Sequence, residues 1–214
     1  MSEHIIGTSQ AAIDGYEERA LDIFGRVNER MRQLVTQAFG LTYAGPDADT
    51  IFNPGLIRLA TESVGQIDQA MTAFADAVAA VTSNISRSLG AGDIVFAYRP
   101  PVLELPPAPG VQADDYRIDV GGFETFVNGE LVDTRTAIGR MIAESRDAFN
   151  AIPRATADAP GWSGDARDYA QNVVVPAQTE QLTAMVDQVM QHITDFMTSA
   201  KDGTLSADHA GVGV

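Results

Sequence analysis

Between Ala11 and Phe39 the apolar residues return every seventh position in two adjacent rows. Ile13, Ala20, Val27 and Leu34 form one row, and Tyr16, Ile23/Phe24, Met31 and Ala38 form the other. Glu17, Glu18, Arg26, Glu29 and Arg30 fall off the stripe. An apolar stripe of this period predicts an amphipathic helix with one face toward a core. Ser9 stands where an N-cap is needed, and Gly40 ends the pattern. Gly45, Pro46 and Pro54 then punctuate a loop. A second stripe runs from Leu56 to Leu89, with Ala60, Ile67, Phe74 and Val81 in one row and Met71, Val78 and Ile85 in the other. Gly90 and Gly92 close it as a helix C-terminus requires. Two such helices joined by a short Gly/Pro loop make residues 1–92 an antiparallel helical hairpin.

Residues 93–120 break the period. Two short apolar runs, 93–98 and 116–120, are strand-like, and Pro100-Pro101 and Pro106-Pro107-Ala108-Pro109 are extended. This is a semi-rigid Pro-rich linker whose two apolar runs can pair. From Gly121 the helical spacing returns through Phe123, Phe126/Val127, Leu131, Ile138, Met141/Ile142, Phe149 and Ile152. Asn128-Gly129 is also a hairpin turn signature between Glu124 and Asp133, although the longer apolar row favours helix. Pro153, Pro160 and Gly161 end that stretch. A fourth stripe covers Asp165 to Ala200 through Tyr169, Val173, Ala177, Val186, Val189/Met190, Ile193 and Phe196. Pro176 either kinks it or marks its first turns. Residues 121–202 therefore form a second hairpin, and 203–214, short of large apolar residues, read as a flexible tail.

The second half also repeats the first. One fixed offset lays Tyr43-Ala44-Gly45 on Trp162-Ser163-Gly164 and Asp49 on Asp168. The same offset lays Asn53 on Asn172, and Ile67-Asp68-Gln69-Ala70-Met71 on Val186-Asp187-Gln188-Val189-Met190. The expected fold is all-α: two tandem antiparallel helical hairpins that bury each other's stripes as a four-helix-bundle-like assembly, joined by the Pro-rich linker.

Composition narrows the chemistry. The chain of 214 residues is 45% hydrophobic and 20% charged, with a net charge of −15 and no cysteine. The acidic balance argues against nucleic acid and against a polybasic lipid anchor. The missing thiols exclude disulfides and thiolate chemistry. No run approaches the roughly 20 apolar residues of a membrane span. His4, His192 and His209 are scattered, and Asp47, Asp49 and Asn53 lack the spacing of a calcium loop, so they read as loop and cap residues. No phosphate loop, nucleophile elbow or paired zinc histidines occur. The expectation is a non-enzyme with no cofactor, no metal and no small-molecule substrate. Met31, Met71, Met141, Met185 and Met190 lie mostly on the stripes, as core or as an adaptable binding surface.

Gly161-Trp162-Ser163-Gly164, set between two long amphipathic helices, resembles the turn of the WXG100 (ESAT-6-like) superfamily. These are the small helical-hairpin proteins exported by type VII (ESX) secretion systems of Actinobacteria and Firmicutes. The resemblance covers residues 121–202 directly and residues 8–92 by repeat, with Tyr43-Ala44-Gly45 as a degenerate copy. It implies a secreted substrate or component of such a system, acting by protein–protein interaction with another secretion-system protein or a second copy of itself. The alternative is a helical adaptor or chaperone that is not exported.

Tryptophan suits the turn because its rigid ring can plug the open end of a helix pair while the indole N–H reaches a partner. Gly164 allows a close reversal, and Asp165 stands where it can cap the next helix. Trp162 is then either a turn plug alone or a plug that an export machine also reads. The turn and export residues are thus Trp162, Gly164, Tyr43 and Gly45. Ile67, Met71, Phe74, Val186, Met190, Ile193 and Phe196 form a helix-packing or partner surface.

Two features depart from the family. The C-terminal Tyr-x-x-x-Asp/Glu signal is missing, since no tyrosine follows Tyr169, and typical members are single hairpins of about half this length. Residues 1–7 carry neither a cationic start nor an apolar run, so the expected location is outside the cell by a leaderless route, or the cytoplasm without export.

Overall fold

Helices follow the apolar rows closely. The computed structural model describes residues 6–44, 48–88 and 117–212. In it α1 spans Gln10–Phe39 and α2 spans Asn53–Ser88. Both rows of α1 are buried from Ile13 to Ala38. The Ala12 amide donates to Ser9 Oγ at 3.3 Å, so Ser9 caps α1. At the other end the Gly40 amide donates to Thr36 O at 3.1 Å. On α2, Ala60, Ile67, Met71, Phe74 and Val78 are buried and Val81 is half-buried. The side chain of Ile85, and all of Gly90 and Gly92, lie outside the described residues.

The short strands differ from expectation. β1 (Tyr43–Ala44) pairs antiparallel with β2 (Arg117–Ile118), Tyr43 opposite Ile118 and Ala44 opposite Arg117. The second apolar run of the linker thus pairs with the first turn. Its first run, 93–98, and the proline clusters lie outside the described residues. Directly after β2, Asp119 caps α3 (Val120–Thr125) by accepting from the Gly122 amide at 3.0 Å. A Cβ at residue 122 would lie 2.7 Å from Asp119 Oδ2, so glycine makes room for the cap.

Asn128-Gly129 resolves as helix, not hairpin. A π turn at Phe126–Glu130 leads from α3 into α4 (Leu131–Asn150), with the Leu131 amide donating to Phe126 O. A second π turn, Ala170–Val174, leads from α5 (Asp165–Tyr169) into α6 (Val175–Val212), with the Val175 amide donating to Ala170 O. A π turn adds a residue to the α repeat and rotates everything beyond it relative to what precedes. Buried positions accordingly step from Phe126 to Leu131 and from Ala170 to Val175. Pro176 accounts for the second case. It lacks an N–H and its ring crowds the carbonyl four residues back, which the wider turn relieves. A third π turn, Ala48–Phe52, precedes Pro54 in the same way.

The second π turn corrects the fourth stripe. Tyr169 and Val173 are 55% and 48% exposed, and Ala177 is also exposed. Arg167, Ala170 and Val175 face inward instead. Beyond residue 202 the chain is helical to Val212 rather than a tail. Thr204 is buried there, and its hydroxyl donates to Ala200 O at 3.0 Å. Among the described residues no helix is long and apolar enough to cross a membrane.

The helices supply two compact units. One draws on residues 6–27, 67–88 and 139–185, around Tyr16, Phe24, Met71, Phe74, Phe149 and Trp162. Phe24 meets Phe74 edge-on at 5.7 Å. The other draws on residues 28–44, 48–66, 117–138 and 186–212, around Met31, Leu34, Phe52, Phe123, Leu131 and Met190. Each such side chain, fully buried, stabilises by about 1.5–3 kcal/mol. The exposed ion pairs, Arg135–Asp187 at 2.7 Å among them, add little beside that.

Candidate functional site

Each unit contains one of the two aromatic turns. The Trp162 turn lies in the connection between α4 and α5, where Pro153 and Pro160 keep the chain out of helix. The Trp162 amide donates to Pro153 O at 2.8 Å, and the Ser163 hydroxyl to Ala155 O at 3.2 Å. Gly161 packs against the same segment so closely that a Cβ would lie 2.5 Å from Pro153 O. These contacts hold the indole inside, where it is 0% exposed. It meets Phe149 edge-on at 5.6 Å, and Phe149 meets Tyr16 edge-on at 5.4 Å. Its Nε1 is buried with no hydrogen-bond partner among the described residues, which differs from the expected partnered N–H.

Gly164 takes φ 113°, ψ 175°, a conformation only glycine adopts readily. It occupies the N-cap position of α5, so Asp165 lies inside the helix and no side chain caps it. The carboxylates of Asp165 and Asp168, in the first turn, face the positive end of the helix instead. Arg167 is buried, donating through Nη2 to Ile152 O at 3.0 Å and through Nη1 to Gln171 Oε1 at 2.8 Å. Burial lowers its pKa, the charge of Arg154 lowers it further, and Asp168 opposes both. Arg154 itself bridges to Asp168 at 3.1 Å. Nearby, burial raises the Tyr16 hydroxyl above its ordinary pKa.

An open groove of about 530 Å³ is lined by Glu18, Arg19 and Asp22 of α1 and by Glu144 and Asp147 of α4. Arg26 bridges two of these carboxylates, Asp22 at 3.1 Å and Glu144 at 2.8 Å. Among the described residues no group of side chains is arranged to hold a metal ion.

The Tyr43 turn belongs to the other unit. Its ring stacks on Phe52 at 4.4 Å, and Phe52 stacks in turn on Phe196 at 5.6 Å and lies 5.8 Å from Phe123. Thr204 Oγ1, whose proton goes to Ala200 O, lies 3.4 Å from the Tyr43 hydroxyl. Gly55 matters here, because a Cβ would sit 2.9 Å from the Phe196 ring. Gly45 lies outside the described residues.

Of the apolar rows, Ile67, Met71, Phe74, Val186, Met190 and Ile193 are between 0% and 6% exposed, and Phe196 is half-buried. Met31 is also buried, while Met141 and Met185 are half-buried. The apolar residues left outside are others. Ile51 (65%) and Val173 lie within π turns, and Val132 (52%) and Tyr169 lie within two residues of one. Reading the stripes misses them, although X-Pro follows two of the three π turns, and the five-residue apolar steps Phe126–Leu131 and Ala170–Val175 mark where the period slips.

No family model matches the chain, and no curated protein or solved structure is significantly similar to it.

Proposed function

We propose that the chain is a WXG100-like substrate or component of a bacterial type VII (ESX) secretion system, acting through protein–protein contact. Its architecture in this proposal is two tandem helical hairpins, residues 1–92 and 121–202, joined by a Pro-rich linker. The observation that carries the proposal is the Trp162 turn. A fully enclosed indole followed by a positive-φ Gly164 lies between long amphipathic helices, the place the turn motif takes in the superfamily the chain resembles. Support for the tandem comes from the second aromatic turn at Tyr43, and from a π turn followed by X-Pro in both halves.

A buried indole cannot itself touch a partner, so recognition falls to exposed residues that follow the turn, chiefly Tyr169 and Val173. The partner is another secretion-system protein or a second copy of the chain. Export runs through that system in this proposal. It is tested by following the full-length chain in culture filtrate of a strain with the secretion system, and of the same strain lacking the secretion ATPase. Appearance in the first filtrate and loss from the second is expected. Equal retention inside cells of both strains overturns export and leaves the cytoplasmic adaptor.

A further inference from the structure

We infer that residues 6–8 form a displaceable strap that closes the Trp162 turn and gates access to it. The segment is extended and touches the turn through one antiparallel bridge. The Gly7 amide donates to Ser163 O at 3.3 Å, and the Ser163 amide donates to Gly7 O at 2.8 Å. Gly7 presses against the same connection that holds the indole, since a Cβ there would lie 3.1 Å from Ala155 Cβ. Ile6 covers Gly164, where a Cβ would meet Ile6 Cγ2 at 3.3 Å.

Closure is held weakly. Ile6 lies over the turn yet stays 55% exposed, so little apolar area anchors the strap. In the closed form both Thr8 Oγ1 and Trp162 Nε1 are buried without a partner among the described residues. A protein hydrogen bond gains little net over water, whereas a buried polar group left unmade loses its full hydration. Two main-chain bonds formed against two side-chain groups stranded is a near balance, the condition for a two-state element. The hinge is already in place. Ser9 caps α1 at the strap's end, so residues 6–8 can leave while the helix keeps its first turn. Release uncovers the Ser163 amide and carbonyl, the groups an added strand pairs with, and opens the turn beside the indole. This holds whether or not the chain is exported.

Trp162 is the single tryptophan, so its fluorescence reports the gate directly. Gly7→Pro in the full-length chain removes the N–H donor and crowds Ala155. Acrylamide quenching of Trp162 is expected to accelerate several-fold, with the far-UV circular dichroism unchanged. Unchanged quenching overturns the strap. Should Gly7→Pro lose helicity, the double variant Gly7→Cys/Ala155→Cys decides. The chain has no other cysteine, and a shift of a few tenths of an ångström brings the Cβ pair to disulfide distance. Quenching at least twofold slower in the oxidised than in the reduced form supports a gate that opens in solution. Equal rates in both forms overturn it.

Discussion

Replacing Trp162 separates what the ring contributes by packing from what its N–H costs. The side chain is 0% exposed and edge-on to Phe149 at 5.6 Å, itself edge-on to Tyr16 at 5.4 Å, so truncation opens a cavity at the end of an aromatic row. A buried Trp→Ala change costs about 3–5 kcal/mol. For a chain of this size each kcal/mol moves the melting temperature by about 2–4 °C, giving a fall of roughly 6–20 °C for Trp162→Ala. Trp162→Phe behaves differently. It keeps the edge-on contact and gives up the smaller ring of the indole, but it also removes a buried N–H that has no partner among the described residues. Relieving that group returns about 1–3 kcal/mol, enough to leave Trp162→Phe within about 1 kcal/mol of the parent chain. The assay is thermal melting by far-UV circular dichroism, because either variant abolishes tryptophan fluorescence. A Trp162→Ala melt that coincides with the parent refutes the plug. A Trp162→Phe variant as damaged as Trp162→Ala refutes the stranded N–H and requires a partner for it.

Glycine positions give a second check. Gly164→Ala forces an alanine to φ 113° and is expected to cost about 1–3 kcal/mol in urea unfolding. Gly129→Ala, in a helical turn where an added Cβ meets nothing within 4 Å, is expected to stabilise by about 0.5–1 kcal/mol. Equal effects at the two sites would count against the geometry of the turn. A third check uses pH. Burial raises the Tyr16 hydroxyl above the ordinary tyrosine value, so above about pH 10 the unfolded chain releases a proton that the fold retains. Its contribution is complete below that pH and is lost as pH rises beyond it. Urea midpoints should fall above about pH 10 and fall less in Tyr16→Phe; parallel profiles would refute it.

How much of the fold is legible depends on where the α period holds. Along α1 every residue of the heptad rows is buried, and the rows leave out only Val35 and Phe39 of its apolar core, because thirty helical residues keep one face turned inward without interruption. The rows fail at Tyr169 and Val173, and the cause is local. Pro176 cannot donate, the π turn before it adds a residue, and the inward face moves from the predicted row to Arg167, Ala170 and Val175. A helical stripe keeps its facing only while each residue adds the same rotation, so one inserted residue misplaces the stretch around it. Long-range main-chain pairing is illegible for another reason. The pairs Tyr43–Ile118 and Gly7–Ser163 are made by backbone groups, which leave no side-chain signature in the sequence.

The aromatic turns show where sequence reasoning reaches a site without reaching its chemistry. Trp162, Gly164 and Tyr43 are legible because a large ring and a small residue at a helix reversal are rare and local. What those residues do there depends on burial, which a motif does not carry. The same tripeptide on an open turn would offer its indole to a partner. Here the indole is spent on packing against Phe149, and Arg167 is folded back onto Ile152 O, so neither the ring nor the guanidinium is presented outward. A partner that met this turn would therefore find other groups: Tyr169 and Val173, which the π turn leaves on the outer face, and the main-chain edge of Ser163 that Gly7 now occupies. Substituting Trp162 would then weaken recognition only through loss of order in those groups, whereas substituting Tyr169 would weaken it with the fold intact.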